Sequence, residues 1–340
     1  MKAAVVGIRY ALPDTVLDNE QLAAQFEGWS AEKIYAKTGI QARRIAAPDE
    51  CASDLAVRAA QELIADLSVD PASIDFLLYC TQTGDYVVPT TACLVQHRLG
   101  LPTTCGALDF NLGCSGYIYG LGMTKALIES GQVRKLLLIT ADTYSKIINP
   151  ADKSVRTIFG DGATATLIVA SEEETLVGPF VYGTDGSGGE NFIVPAGGKR
   201  QARVHNAELM ADDSGNARTV NDIYMNGAEV FNFTLRMVPK AVEQLLDKSG
   251  VRHDDVDLFV FHQANRFMLD HLQRKLHIPD EKFVIAMEQV GNTVSSSIPI
   301  ALRCAQRQCR LKAGALLMLV GFGVGYSWGA TLIRWPANSR

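Results

Sequence analysis

One turn occurs twice in this chain, and its two copies differ at one chemically telling position. The first reads Asn111-Leu112-Gly113-Cys114-Ser115-Gly116 and the second Gln289-Val290-Gly291-Asn292-Thr293-Val294, so a thiol in one copy faces an amide in the other. Each is followed by a small-residue helical segment, a basic turn and an apolar strand, Leu136-Leu137-Leu138-Ile139 in one case and Leu316-Leu317-Met318-Leu319-Val320 in the other. Residues 74–79 match 256–261, and residues 165–168 match 330–333, in the same order. The offsets run from 165 (Ala165 to Ala330) to 182 (Ile74 to Val256), far beyond a solenoid period. That pattern predicts two similar domains in a fused pseudo-dimer rather than a repeat array.

Length supports the division, because 340 residues make two domains of about 170, each able to bury a core. The halves are set at 1–175 and 176–340. The turn-rich string Gly183-Thr184-Asp185-Gly186-Ser187-Gly188-Gly189 opens an excursion expected to run to about residue 221. Strands and helices alternate, which predicts an α/β architecture with a mixed sheet in each half. The continuous apolar runs 136–140, 259–261 and 316–320 suit strands covered by helices on both faces. A net charge of −5 with scattered basic residues leaves no nucleic-acid footprint. The N-terminal apolar run is cut by Arg9 and reads as a first strand, not a signal peptide. The longest apolar stretch, 315–324, is interrupted by Gly321 and Gly323 and falls short of a membrane span, so a cytoplasmic protein is expected.

Seven cysteines contain no CxxC pair and no histidine at zinc-ligand spacing, so no metal site is expected. Most read as small buried hydrophobes. Cys114 stands apart, because it precedes a segment with glycines at 116, 120 and 122. Each glycine costs about 1 kcal/mol in a helix, so three of them predict a helix packed closely against another backbone. A thiol at the start of such a helix meets unpaired N–H groups and the positive dipole end, and both favour the thiolate. In the second copy, Pro299 falls near a helix start and Ser295, Ser296 and Ser297 offer capping oxygens. An asparagine after glycine ordinarily satisfies its own turn, but pseudo-dyad symmetry would bring Asn292 and Cys114 to one pocket. His262 ends the strand 258–261 and precedes a helix over 266–276, a strand end of the kind where ligand sites collect. His253, His271 and His277 read as surface residues, and nothing places His97 or His205 in a site.

Taken in order, Gly113-Cys114-Ser115-Gly116, Ile158-Phe159-Gly160-Asp161-Gly162, His262-Gln263-Ala264-Asn265, Gly291-Asn292-Thr293 and the Gly-rich string from Gly321 to Gly329 resemble the β-ketoacyl-acyl-carrier-protein synthase III family. Lys37-Thr38-Gly39-Ile40 extends the resemblance toward the start of the chain. It implies the thiolase-like fold, two α/β halves stacked as a five-layer αβαβα sandwich, usually as a homodimer. It also implies that Cys114 accepts the acyl group while His262 and Asn292 are the other catalytic side chains. The backbone N–H groups of Cys114 and Val324 would form the oxyanion hole. The implied reaction is decarboxylative Claisen condensation of an acyl thioester with a malonyl-carrier-protein extender. Acyl-CoA or acyl-carrier-protein and malonyl-carrier-protein are then substrates, and no cofactor is expected.

Departures from the family pattern bear on the acyl donor. Lys33 and Lys37 stand where acetyl-CoA-primed members carry Trp and Arg, Lys153 where they carry Arg, and Ala228 replaces a CoA-contacting Asn, although Asn265 is kept. A lysine does not reproduce the stacking of those planar groups on adenine. Phe322, in the Gly-rich string, is assigned with these to substrate binding. Val88 replaces a Phe that closes the acyl pocket across the dimer interface, which predicts a primer longer than acetyl, or branched. Arg274 and Lys275 match basic carrier-docking positions, and Arg266 lies one residue from another. A second functional class remains open, an acyltransferase that hands the Cys114-bound group to an amine or hydroxyl with His262 as general base. A non-catalytic partner subunit is disfavoured by the presence of Cys114, His262 and Asn292.

Overall fold

The computed structural model describes residues 1–172 and 177–336, which form two mixed sheets with helices between and outside them. The 175/176 boundary expected between the halves lies outside the described residues. The first sheet holds β1 (Lys2–Ala11), β2 (Phe76–Cys80), β3 (Gly106–Phe110), β4 (Lys135–Asp142) and β5 (Gly162–Ser171), in the order β1-β5-β4-β2-β3. The second holds β6 (Val177–Thr184), β7 (Leu258–Phe261), β8 (Leu316–Gly323) and β9 (Ser327–Arg334), in the order β6-β9-β8-β7. The duplication read from sequence is visible in both order and pairing. Each sheet runs antiparallel, antiparallel, then parallel from its first strand. The place of β3 in the second sheet is taken by a single parallel bridge, Phe259 to Phe283.

Five layers follow from the packing. Helices α1 (Ala52–Asp66) and α2 (Thr91–Arg98) cover the outer face of the first sheet, whereas α3 (Gly116–Glu129) and α6 (Ser297–Arg307) lie between the sheets. On the far side, α4 (Gly227–Ser249) covers the second sheet and α5 (Arg266–Lys275) packs on it. This is the αβαβα sandwich of the thiolase-like fold. The glycines of α3 are close-packed, but against side chains rather than another backbone: a Cβ on Gly120 would stand 2.7 Å from the Leu138 side chain of β4, and one on Gly116 would strike the Cys80 sulfur of β2. Side chains of the first sheet filling the glycine face seat α3 in the middle layer with Cys114 at its start.

Two local expectations change. Gly183 and Thr184 do not open the excursion but end β6, paired with Trp328 and Ser327, because the Trp328 indole occupies the space a side chain at 183 would need. The excursion itself continues to Asn226, which caps α4. The three serines before Pro299 do not cap α6. Ser295 instead donates to Asp142, Ser296 to the Thr140 carbonyl, and Ser297 meets His262, so all three hydroxyls are spent on tertiary contacts.

The turn carrying Asn292 is locked to the first half by its backbone. Asn292 N–H donates to Ile158 O (2.9 Å) and Gly160 N–H donates to Asn292 O (3.0 Å), which makes a parallel bridge with Phe159. Gly291 has φ +73°, and a Cβ there would stand 2.9 Å from Ile158 O. Gly250, at φ +68°, has open space around it. Gly291→Ala should therefore lower stability by roughly 2–4 kcal/mol, from the left-handed backbone and the clash together, whereas Gly250→Ala should cost only about 1 kcal/mol. Urea unfolding of the two variants checks the difference, and equal losses would contradict it.

Candidate active site

Cys114, His262 and Asn292 line one cavity of about 210 Å³. The fold delivers each from a different element: Cys114 from the turn into α3, His262 from the end of β7, and Asn292 from the locked turn before α6. Each is nearly inaccessible, at 3%, 2% and 4% exposure. Asn265 and Phe322 also line the cavity, and its apolar wall includes Phe159, Phe192, Met225 and Met268. Phe192 and Met225 come from the inter-half excursion, a contribution the sequence reading missed.

The imidazole has a polar neighbour at each ring nitrogen. Ser297 Oγ lies 2.7 Å from His262 Nδ1, and the Asn292 amide nitrogen lies 3.4 Å from Nε2. Asn292 Oδ1 accepts from Val294 N–H (2.9 Å), which turns its NH₂ toward His262. Ser297 Oγ also accepts from Gln263 N–H (3.4 Å), so its own proton is free to go to Nδ1 and leave the ring proton on Nε2. In the alternative tautomer Nδ1–H donates to Ser297 Oγ and Nε2 accepts from the Asn292 amide; the Nε2–H form gives up that second bond and is the one poised to donate. It gives two N–H donors, His262 Nε2 and Asn292 Nδ2, side by side facing the same space. Burial holds the imidazole neutral, lowering its pKa to about 3. Phe322 sets its ring edge-on to His262 at 5.4 Å and shields it further.

The net shift at Cys114 is upward. Burial pushes the Cys114 thiol up to about 12, and the Asp142 carboxylate adds to the effect. Backbone N–H groups of Cys114 itself and of Val324 act the other way and point at the sulfur. The helix-terminus argument had the right sign for the local amides, but desolvation outweighs them. Gly323 is required here because a Cβ would lie 2.8 Å from Cys114 Cβ and 2.9 Å from Sγ. The resting pair is thus a neutral thiol and a neutral imidazole.

The remaining residues assigned from sequence lie outside this cavity. Lys33 and Lys37, on the exposed face of helix Ala31–Thr38, stand over the Trp29 ring at 5.1 and 5.6 Å. An aromatic plane is thus present four residues before Lys33, a feature hidden by reading position 33 alone. Lys153 donates to Ser214 O (2.6 Å) beside a groove lined by Phe26, Gly28 and Gly215. Val88 is 80% exposed in a loop with Tyr86 and Val87 and does not line the cavity of its own chain. Arg266, Arg274 and Lys275 lie exposed on α5; Arg266 pairs with Asp270, and Lys275 reaches Leu235 O. Among the described residues no cluster of metal-ligating side chains occurs, and no helix is long and apolar enough to cross a membrane.

Comparison with known proteins agrees with the geometry. Residues 108–186 match the family model described as 3-oxoacyl-[acyl-carrier-protein] synthase III, and residues 246–335 match its C-terminal model. A β-ketoacyl-[acyl-carrier-protein] synthase III of Symbiobacterium thermophilum is 38% identical over 331 residues, 97% of both chains. A crystal structure of a 3-oxoacyl-(acyl-carrier-protein) synthase III is 53% identical with a TM-score of 0.97, covering 98% of this chain and 100% of that one. The 3-oxoacyl-(acyl-carrier protein) synthase of Burkholderia xenovorans is 36% identical with a TM-score of 0.92, covering 99% and 95%. The fold is that of the thiolase-like enzymes. Within that class, the chain belongs to the 3-oxoacyl-[acyl-carrier-protein] synthase III family.

A neutral thiol beside a neutral histidine has a kinetic signature. The rate of Cys114 alkylation by iodoacetamide, mapped by mass spectrometry against Cys93 and Cys309, should climb steadily from neutral to alkaline pH. A plateau reached below pH 8 would mean a thiolate–imidazolium pair instead.

Proposed function

We propose that this chain is an acyltransferase catalysing decarboxylative condensation of a Cys114-bound acyl group with a malonyl-carrier-protein extender, in fatty acid or related acyl biosynthesis. The observation that carries this reading is the meeting of Cys114, with two backbone N–H groups at its sulfur, and the two adjacent donors of His262 and Asn292 in one buried, largely apolar cavity.

Acyl transfer from a donor thioester to Cys114 exchanges one thioester for another, at little thermodynamic cost. Cys114 loses its proton as the donor's thiol leaves. His262 relays that proton by exchanging tautomers, since Ser297 Oγ can either donate to Nδ1 or accept from it. Loss of CO₂ from the malonyl thioester then leaves an enolate whose oxygen needs donors. Nε2–H of His262 and Nδ2–H of Asn292 supply them without reorganisation, in a site where burial keeps the ring uncharged. The carbanion attacks the acyl carbonyl on Cys114, the N–H groups of Cys114 and Val324 hold the oxyanion, and Cys114 thiolate is expelled as the new carbon–carbon bond remains.

An acidic acyl carrier protein is the partner in this reading, docked over Arg266, Arg274 and Lys275 on α5, the helix that supplies Met268 to the cavity wall. A homodimer is part of it as well, since Val88 can close an acyl pocket only across a subunit boundary. A cytoplasmic setting fits these substrates. Incubation with a series of acyl-CoAs and acyl-carrier proteins, followed by mass spectrometry of Cys114 and then by malonyl-carrier protein with CO₂ detection, tests the scheme. Acyl adducts that release CO₂ and form a 3-oxoacyl product are expected, with primers longer than acetyl favoured. Asn292→Ala should leave acylation in place and slow CO₂ release by about 10²-fold, as loss of an oxyanion donor does. Adduct without CO₂ loss would instead favour acyl transfer to an amine or hydroxyl.

A further inference from the structure

We propose that Asp142 is a positioning residue that keeps the Cys114 turn and the Asn292 turn in register through one buried carboxylate. The inference rests on the condensation reading above only for the step it affects. Asp142 ends β4 in the first half, is fully buried, and lies between the two repeated turns. Its Oδ2 accepts from the Ser295 hydroxyl (2.5 Å) and the Ser295 N–H (3.4 Å), three residues after Asn292 in the second half. Its Oδ1 accepts from Gln82 N–H (2.8 Å), in the first half.

Gln82 carries the connection onward to the nucleophile. Its side-chain amide donates to Asn111 Oδ1 (3.1 Å), at the start of the Cys114 turn, and accepts from the Tyr144 hydroxyl (2.5 Å). The same amide packs on Gly113, where a Cβ would stand 2.5 Å from Oε1 and 2.8 Å from Val324 Cγ1. One carboxylate therefore holds the turn with the enolate donors by one oxygen and the turn with the nucleophile by the other. A carboxylate is suited to this position because each partner is a donor, so a side-chain amide would face one of them with its own N–H.

Asp142 also acts through its charge. Burial is the main reason the thiols of Cys80 and Cys114 and the phenols of Tyr79 and Tyr144 are held protonated, and the Asp142 carboxylate adds to it in all four. Burial pushes Asp142 itself up to about 7, opposed by its bonds from Ser295 and Gln82 and assisted by Asp161.

The test compares Asp142→Asn, Ser295→Ala and the double variant in the full chain. With Cys114 preloaded by whichever acyl thioester acylates it, each single variant should slow CO₂ release from malonyl-carrier protein on the order of ten- to a hundred-fold, the loss expected for a hydrogen bond to a charged group. Cys114 loading should not slow in Ser295→Ala, which leaves the Gln82 link intact, and the double variant should be no slower than Asp142→Asn alone, because the Ser295 hydroxyl bond is already lost there. Wild-type CO₂ release in Ser295→Ala, or losses that add in the double variant, would overturn the proposal. Iodoacetamide alkylation gives a readout independent of substrate. Asp142→Asn should move the Cys114 profile to lower pH while Ser295→Ala leaves it in place, and an unmoved Asp142→Asn profile would refute the coupling to the nucleophile. If Asp142→Asn does not fold, Ser295→Ala decides alone through CO₂ release. If the wild type loads Cys114 but releases no CO₂, the condensation reading falls and the alkylation shift still decides the role of Asp142.

Discussion

Everything chemical in this molecule depends on a short backbone contact between the two halves, the exchange of hydrogen bonds between residues 158–160 and Asn292. It places the turn of the second repeat against a loop of the first, with Gly160 and Gly291 present because side chains there would meet backbone carbonyls of the opposing strand. Two similar sheets stacked on shared helices could slide or rotate relative to one another at modest cost. A parallel bridge with no room for a Cβ on either side fixes their offset. With it fixed, Cys114 from one half and His262 with Asn292 from the other reach the same small cavity.

That cavity works by exclusion of water. Had Cys114 and His262 formed an ion pair, the nucleophile would be ready at rest, but the histidine would be a cation. Burial instead leaves both neutral. Nε2–H can then donate to a developing enolate, and the ring carries no charge that must be desolvated before substrate arrives. The cost falls on the first step, in which the thiol must give up a proton against an unfavourable field. Local N–H groups of Cys114 and Val324 offset part of that cost, and they become most useful when a tetrahedral oxyanion replaces the thiolate as their acceptor.

The sequence made legible what is periodic or repeated. The paired turns, the strands 136–140, 258–261 and 316–320, and the glycine-rich helix after Cys114 all lie where the structure has them, because each is set by burial pattern and close packing along a continuous segment. Cys114, His262 and Asn292 were readable for the same reason: each ends or begins such a segment. Contacts between distant segments left no local trace. The run Ser295-Ser296-Ser297 looks like a set of helix caps, and only the tertiary fold spends those hydroxyls on Asp142, Thr140 and His262. The net charge state of Cys114 was not legible because a helix terminus is visible in sequence, whereas total desolvation is not. Trp29 was missed because its indole reaches Lys33 and Lys37 across a turn rather than occupying either position.

A division between centre and rim follows. At the centre Asn292 and Ser295 are tied across the repeat axis by the 158–160 backbone and by Asp142, so a change of residue type there disturbs both turns at once. At the rim, the ammonium groups of Lys33 and Lys37 stand over the half-buried Trp29 indole, Lys33 also reaches Gly28 O, Lys153 reaches Ser214 O, and Val88 is exposed in this chain. Such positions can be exchanged with little effect on the fold, as surface substitutions generally can. Exchange at these four positions alters the molecule's surface without disturbing its centre. That is also why the family resemblance carries the reaction into this chain more firmly than it carries the primer.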